Sequence, residues 1–246
     1  MALLQLRALR KSFGRLAVID GLDFDVEPGT ITSVIGPNGA GKTTLFNLIT
    51  GRLRLDMGTI AFKEQSIAGL APNAIARLGI ARSFQITNIF PGLTALENVR
   101  LAAQVRASQA LSGWYPADRL DDVTARAEAM LARVGLDRHR DRPARTLSHG
   151  DQRHLEIAMT LATEPELLLL DEPTAGMSAV ETGSTMALIS EIARQVTVLI
   201  IEHDMGLVMK LSHRVMVMAA GQKIAEGPPE AVARDGEVRR VYLGGL

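Results

Sequence analysis

The sequence predicts an α/β fold with a mostly parallel core sheet, an antiparallel β portion near its start and a helical insertion. Three observations carry that prediction. Short runs rich in Leu, Ile and Val alternate with longer stretches of helical apolar spacing, as in α/β domains whose central strands are parallel. One such run, residues 31–35, feeds directly into a glycine-rich loop followed by a helical face. From about residue 86 to 163 the pattern is helical.

The elements follow in order. Residues 3–9 and 22–26 alternate like half-buried strands, and Glu27-Pro28-Gly29 is a turn, which suggests an antiparallel edge beside the parallel core. Residues 31–35 form a short, mainly apolar strand. In the next helix Leu45, Phe46, Leu48 and Ile49 share a face, and Gly51 ends it. Residues 59–62 and 79–84 read as further strands. Within the insertion Val123, Ala127, Met130, Leu131 and Val134 mark an amphipathic helix, with Gly135 as its stop. Residues 108–116 read as an exposed loop. Residues 167–171 and 197–201 are buried strands, with a helix marked by Met186, Ile189 and Ala193 between them. A closing hairpin is expected over 215–218 and 223–225. No repeat or long linker divides the chain. The expectation is one domain over 1–246, with a core from about 1–85 and 164–246 and a helical part over about 86–163.

The composition narrows the function. A chain of 246 residues, 47% of them hydrophobic, can bury a substantial core without staples. Its 27 basic and 27 acidic side chains cancel, which argues against a nucleic-acid partner held by a whole-surface basic field and leaves only a local basic groove open; no nucleic-acid partner is expected. The absence of cysteine excludes disulfide frameworks and thiolate metal sites. No secretory signal pattern is visible at the start. No apolar run approaches the ~20 residues that span a bilayer. A role at a membrane would require docking to something embedded in it.

Gly36-Pro37-Asn38-Gly39-Ala40-Gly41-Lys42-Thr43-Thr44 matches the phosphate-loop pattern G-x-x-x-x-G-K-[ST], with a strand before it and a helix after. The glycines let backbone wrap an anion, and the loop amides and helix N-terminus supply partial positive charge. Lys42 would reach the β- and γ-phosphates, and the Thr43 hydroxyl would ligate Mg²⁺. The run 167–170 then carries Asp171 and Glu172 to the C-terminal end of a buried strand, where ligands of open α/β sheets gather. Asp171 would hold Mg²⁺ through water. Glu172 would orient and deprotonate an attacking water, help of a kind worth roughly 10²–10⁴-fold. His139, His149, His154 and His213 lack the clustering of a zinc site, so the only metal expected is the nucleotide's Mg²⁺.

Leu147-Ser148-His149-Gly150-Asp151-Gln152 resembles the signature sequence, L-S-G-G-Q, of ATP-binding cassette proteins. The resemblance covers essentially the whole chain. It implies that Phe13 stacks on adenine, that Gln85 contacts Mg²⁺ and water, and that His203 contacts the γ-phosphate. It also implies that Ser148, His149, Gly150 and Asp151 face a nucleotide held by a second cassette, since paired cassettes close head to tail around two ATP molecules. Ser148 would cap the signature helix. The sequence departs from the family pattern at His149 and Asp151, and at Ser178, where many members have aspartate.

Residues 79–85, continuing into Phe90-Pro91-Gly92-Leu93-Thr94-Ala95-Leu96-Glu97-Asn98-Val99, are similar to the ATPase subunits of bacterial branched-chain or hydrophobic amino-acid importers. So are Leu155-Glu156-Ile157-Ala158 and the ending Tyr242-Leu243-Gly244. Urea and short-chain amide importers share much of this pattern, and a lipid or lipopolysaccharide exporter would have the same nucleotide site. Gln85, Glu172 and His203 together argue against a regulator without turnover. The resemblance implies ATP and Mg²⁺ as cofactors, a second cassette as partner and a peripheral place on the cytoplasmic membrane face. It also implies two permease subunits and, indirectly, an extracytoplasmic substrate-binding protein. Ile86, Ile89, Phe90 and Pro91 are the candidate apolar dock for the permease.

Overall fold

The computed structural model describes residues 1–83, 89–107 and 117–243, and their strands form two sheets. β1 (Leu4–Phe13), β2 (Leu16–Val26), β4 (Met57–Phe62) and β5 (Gln65–Ser66) form an antiparallel sheet in the order β2-β1-β4-β5. β3 (Ile31–Ile35), β6 (Ile80–Arg82), β7 (Leu167–Asp171), β8 (Thr197–Ile201), β9 (Arg214–Ala219) and β10 (Gln222–Gly227) form the second, ordered β10-β9-β3-β8-β7-β6. Its strands are parallel except β10, which pairs antiparallel with β9.

The N-terminal strands form ladders with each other and with β4, and meet the edge of the parallel sheet through the Asp20 N–H, which donates to the Gly221 carbonyl at 3.0 Å. They are also longer than the apolar alternation suggests. β1 runs on to Phe13 and returns as β2 through Gly14, whose φ of +60° suits glycine. In β1 the added Arg10 and Lys11 pair at the surface with Asp20 and Asp56, which hydropathy does not reveal, whereas β2 gains the short apolar run Leu16–Ile19.

The parallel strands are covered on both faces. Leu167 and Leu169 of β7 pack with Leu45, Phe46 and Ile49 of α1 (Lys42–Ile49), and α1 lies between the two sheets. Leu168 and Leu170 point the other way. They meet the helices α3 (Ala95–Ala107), α4 (Ala117–Arg133), α5 (His149–Leu161) and α6 (Ala179–Ile192). All four leucines are fully buried, each worth about 1.5–3 kcal/mol as a transfer term. The helical part is therefore held to the core by every second residue of β7.

Local signals fix the helix ends. Thr94 and Glu97 exchange hydrogen bonds as a capping box at the start of α3 (Thr94 N to Glu97 Oε2 2.8 Å, Glu97 N to Thr94 Oγ1 3.2 Å). Asn98, wholly buried, bonds both polar groups of the Phe90 backbone. The run from Phe90 to Asn98 is thus a folded turn. α4 stops two residues before Gly135, which takes φ +77°. Residues 108–116 lie outside the described residues. Four short helices complete the chain: α2 (Pro72–Leu78), α7 (Met205–Leu211), α8 (Pro229–Arg234) and α9 (Gly236–Leu243). Val238 and Tyr242 of α9 pack with Ile35, Val215 and Val217.

Candidate nucleotide site

Sheet order brings the candidate residues to one end of the molecule. β3, β8, β7 and β6 are parallel neighbours, so their C-terminal ends align: Val34 opposite Ile201, Ile201 opposite Asp171, Leu169 opposite Arg82. The phosphate loop leaves β3, His203 follows β8 by two residues, and Glu172 follows β7 directly. Gln85 lies outside the described residues.

The loop's glycines are required by packing as well as by anion approach. A Cβ on Gly36 would sit 2.1 Å from the Met218 carbonyl oxygen, and one on Gly41 2.7 Å from that of Val18. Pro37, Asn38 and Gly39 are exposed, Ala40 is buried, and the Thr43 side chain is exposed beside half-buried Thr44. Lys42 is buried, and its Nζ donates to the carbonyls of Gly36 (2.6 Å) and Pro37 (3.0 Å), so the ammonium lies within the curl of the loop. Burial pushes its pKa down, and the carboxylates of Glu172 and Asp171 oppose that.

Asp171 is buried, and its Oδ2 accepts a 2.6 Å bond from Arg82 Nη2. Glu172 takes φ +46°, a left-handed conformation costing a non-glycine residue about 1–3 kcal/mol. His203 is 65% exposed at its side chain, and its backbone N–H donates to Glu202 Oε2 at 3.1 Å. Glu202 is buried and also accepts from Thr174 Oγ1 at 2.6 Å, joining the segment after Glu172 to the histidine. Phe13 lies at the tip of β1, 47% exposed, with Lys11 Nζ 5.5 Å from its ring centre. A buried ammonium inside a glycine loop, an exposed hydroxyl and two carboxylates fit a polyphosphate with a hard divalent cation.

The comparisons agree with this geometry. A family model described as "ABC transporter" matches residues 19–175, and one described as "Branched-chain amino acid ATP-binding cassette transporter" matches residues 222–245. The chain belongs to the ABC transporter family. It is 41% identical to the high-affinity branched-chain amino acid transport ATP-binding protein LivG of Escherichia coli K12, over 98% of both chains. Identity and coverage are the same for BraF of Pseudomonas aeruginosa, which has the same description. Among solved structures, the ADP conformation of MJ1267, an ATP-binding cassette of an ABC transporter, matches with TM-score 0.87 and 31% identity over 99% of each chain. This ABC chain binds nucleotide and is an ATP hydrolase coupled to transport.

The ABC signature segment opens α5. Ser148 is the N-cap, its hydroxyl accepting the Asp151 N–H at 3.1 Å. The helix starts at His149, directly after this cap. His149 is exposed, Gly150 is buried, and Asp151 lies in the first turn, where a carboxylate favours the helix dipole. The departure at Ser178 has a local account. Ser178 caps α6 in a capping box with Glu181, as aspartate could also cap it.

Four residues near this site escaped the sequence reading: Arg82, Arg153, Glu156 and Glu202. Each is a buried charged side chain, Arg82 and Glu202 at strand ends and Arg153 and Glu156 on α5. The signal available for Glu156 was a carboxylate set within Leu155-Glu156-Ile157-Ala158. The proposed dock divides differently. Ile89 packs against the helical core, Phe90 is 52% exposed, and Ile86 lies outside the described residues.

Proposed function

We propose that this chain is the ATPase subunit of an importer for branched-chain or other hydrophobic amino acids, acting peripherally on the cytoplasmic face of the membrane. The observation that carries the reading is the 41% identity to LivG across 98% of both chains. Among the described residues no helix is long and apolar enough to cross a membrane, which agrees with work through separate permease subunits.

Each site residue then has a role. Phe13 stacks on adenine. The amides from Gly36 to Thr44 and the Lys42 ammonium hold the phosphates. Thr43, Gln85 and Asp171 would hold Mg²⁺, which would supply positive charge to the phosphate oxygens. Glu172 takes a proton from the attacking water, and His203 contacts the γ-phosphate. Positioning and charge stabilisation do most of the catalysis. One phosphate loop and one signature per chain support a dimer with itself or a similar cassette. Ser148, His149, Gly150 and Asp151 complete the partner's site.

Residues 1–85 and 164–246 act as the nucleotide-holding core, and 86–163 as the part that moves with the permease. A groove of about 400 Å³ between α2, β6, α3 and α5, lined by Ile75, Ile80, Ala102 and Met159, is the proposed permease seat. The native chain lacks cysteine, so a single cysteine at Ala76 or Met159 gives a clean cross-linking test against the permease.

The deciding experiment is uptake of labelled Leu, Ile and Val by cells lacking this gene, complemented with wild type or Glu172→Gln. Wild type should restore uptake. Glu172→Gln should not, while the purified variant keeps ATP binding and accumulates a dimer. Restored uptake of urea or an amide alone, or no transport phenotype, overturns the substrate assignment. Unchanged turnover in Glu172→Gln overturns the general-base role.

A further inference from the structure

Arg153 lies on the second turn of the signature helix, five residues after Ser148, yet its guanidinium does not face solvent. Its side chain is 5% exposed, and its Nη1 donates to Glu156 Oε2 at 2.6 Å, a carboxylate only 4% exposed. Other donors of the fork reach backbone. Nη2 donates to the carbonyls of Asp171 (2.7 Å) and Glu172 (3.2 Å), and Nε to that of Pro173 (3.4 Å). Three successive carbonyls, from the last residue of β7 onward, thus converge on one cation. The middle one belongs to Glu172, whose left-handed φ persists only where its surroundings over-determine it. On the other side the Glu172 N–H donates to the Ile201 carbonyl at 3.0 Å.

We propose that Arg153, held in place by Glu156, is a positioning residue that fixes the Glu172 backbone and ties this carboxylate to the signature helix of the same chain. The inference rests on the reading of Glu172 as general base. A planar guanidinium is suited to the task because it presents several donors at fixed angles. Glu156 supplies a counter-charge to this buried guanidinium. It also lines the groove between α2, β6, α3 and α5, so the same pair connects that groove to the acid loop. A rotation of α5 that reseats Ser148 and Gly150 at a second cassette would move the Glu172 carbonyl in the same chain. The signature helix therefore serves two sites, one through its N-terminus and one through Arg153.

The test uses the purified full chain. Arg153→Met alone leaves Glu156 buried without its cation and risks misfolding, so the principal variant is Arg153→Met/Glu156→Met. Its kcat should fall about 10–100-fold, the size expected when a reacting group is misplaced by about an ångström. Its affinity for a fluorescent ATP analogue should stay within about threefold of wild type, less than one bidentate contact is worth. Hydrogen exchange should quicken in the peptide spanning residues 171–177 and stay unchanged in α1. Arg153→Lys, which keeps the charge and one donor, should recover part of the rate. Introduced into Glu172→Gln, the double substitution should cause no further loss of residual turnover, because both act through one group. If Glu172→Gln is inactive while the double variant hydrolyses ATP like wild type, the positioning role is wrong. A uniform rise in exchange, with affinity and rate lost together, would make the pair merely structural and equally overturn it. If Glu172→Gln itself turns over normally, the general-base reading fails first.

Discussion

Arg82 Nη2 lies 2.6 Å from Asp171 Oδ2, with both side chains almost wholly buried. The same guanidinium donates to Asn47 Oδ1 of α1 at 2.7 Å and stands 5.3 Å from the Phe46 ring centre. One side chain from β6 therefore joins the acid that ends β7 to the helix behind the phosphate loop. Removing one member of a buried pair leaves the other charge uncompensated, at a cost of roughly 3–5 kcal/mol. Arg82→Met should lower stability by about that amount in urea denaturation. Arg82→Lys should lose less, since the charge remains and the fork does not. Adding Asp171→Asn to Arg82→Met should recover part of the loss. Equal stability of Arg82→Met and wild type would show that the pair holds nothing.

Lys42 is the one buried cation of the phosphate loop, bonded to two loop carbonyls. Nucleotide should raise the thermal midpoint of the wild-type chain, because ligand at 100 times its Kd adds about 2.7 kcal/mol to the folded state. Lys42→Met should abolish that rise while keeping a cooperative transition. A shift that survives the substitution would take Lys42 out of phosphate binding.

How much of this was legible follows from the kind of signal each residue leaves. β3, β7 and β8 announce themselves because strands covered on both faces become apolar runs. Lys42 and the Asp171–Glu172 pair stand where those runs end. Arg153 and Glu156 read along the chain as an i, i+3 ion pair, a spacing normally found on a solvated helix surface. Only the packing of α5 against the end of β7 makes the pair internal. Arg82 has the same ambiguity, since its partners Asn47 and Asp171 are far from it in sequence. The outer end of β1, with Arg10 and Lys11, is held by hydrogen bonds and surface ion pairs that hydropathy does not register, whereas in β2 the run Leu16–Ile19 is apolar and Ile19 enters the core. α7, α8 and α9 are each too short for a helical period to emerge.

Glu181 ties the two helix N-termini of this region together. Its carboxylate accepts from the Ser178 N–H (2.9 Å) and hydroxyl (2.7 Å), and a Cβ on Gly150 would sit 2.9 Å from its Oε1. The Ser178 backbone and hydroxyl bonds hold its pKa below the usual 4.5, helped further by the Gly150 amide. A depressed carboxylate stabilises the fold fully above its unfolded pKa, and that stabilisation is lost as pH falls through the folded value. Wild type should therefore exceed Glu181→Gln in stability at pH 7, with the gap closing below about pH 4.5. Acid titration of both by circular dichroism would check it, and a pH-independent gap would contradict the linkage. Ser178→Ala should cost about 0.5–2 kcal/mol as a lost cap, and Ser178→Asp much less.

Tyr242 closes the chain against the strand that feeds the phosphate loop. Its ring packs in the cluster that includes Ile35, Val215 and Val217, and its hydroxyl is buried without a hydrogen bond of normal geometry among the described residues. Burial pushes the phenol up to about 12, with the Gly36 amide opposing. An acid whose pKa rises on folding contributes stability that is complete below its unfolded value and lost as pH rises through the folded one. For Tyr242 that window runs from about pH 10 to about pH 12. Tyr242→Phe removes a buried polar atom that lacks a partner and keeps the ring, so it should leave the thermal midpoint at pH 7 unchanged or raise it. It should also flatten the loss of stability above pH 10. Tyr242→Ala should cost about 2–4 kcal/mol by opening the contact between α9 and β3. The chain has two tyrosines, so an ultraviolet titration of the native protein should show one phenol ionising late, and Tyr242→Phe should delete that step. A destabilised Tyr242→Phe would instead reveal a hydrogen bond from the hydroxyl that holds α9 in place.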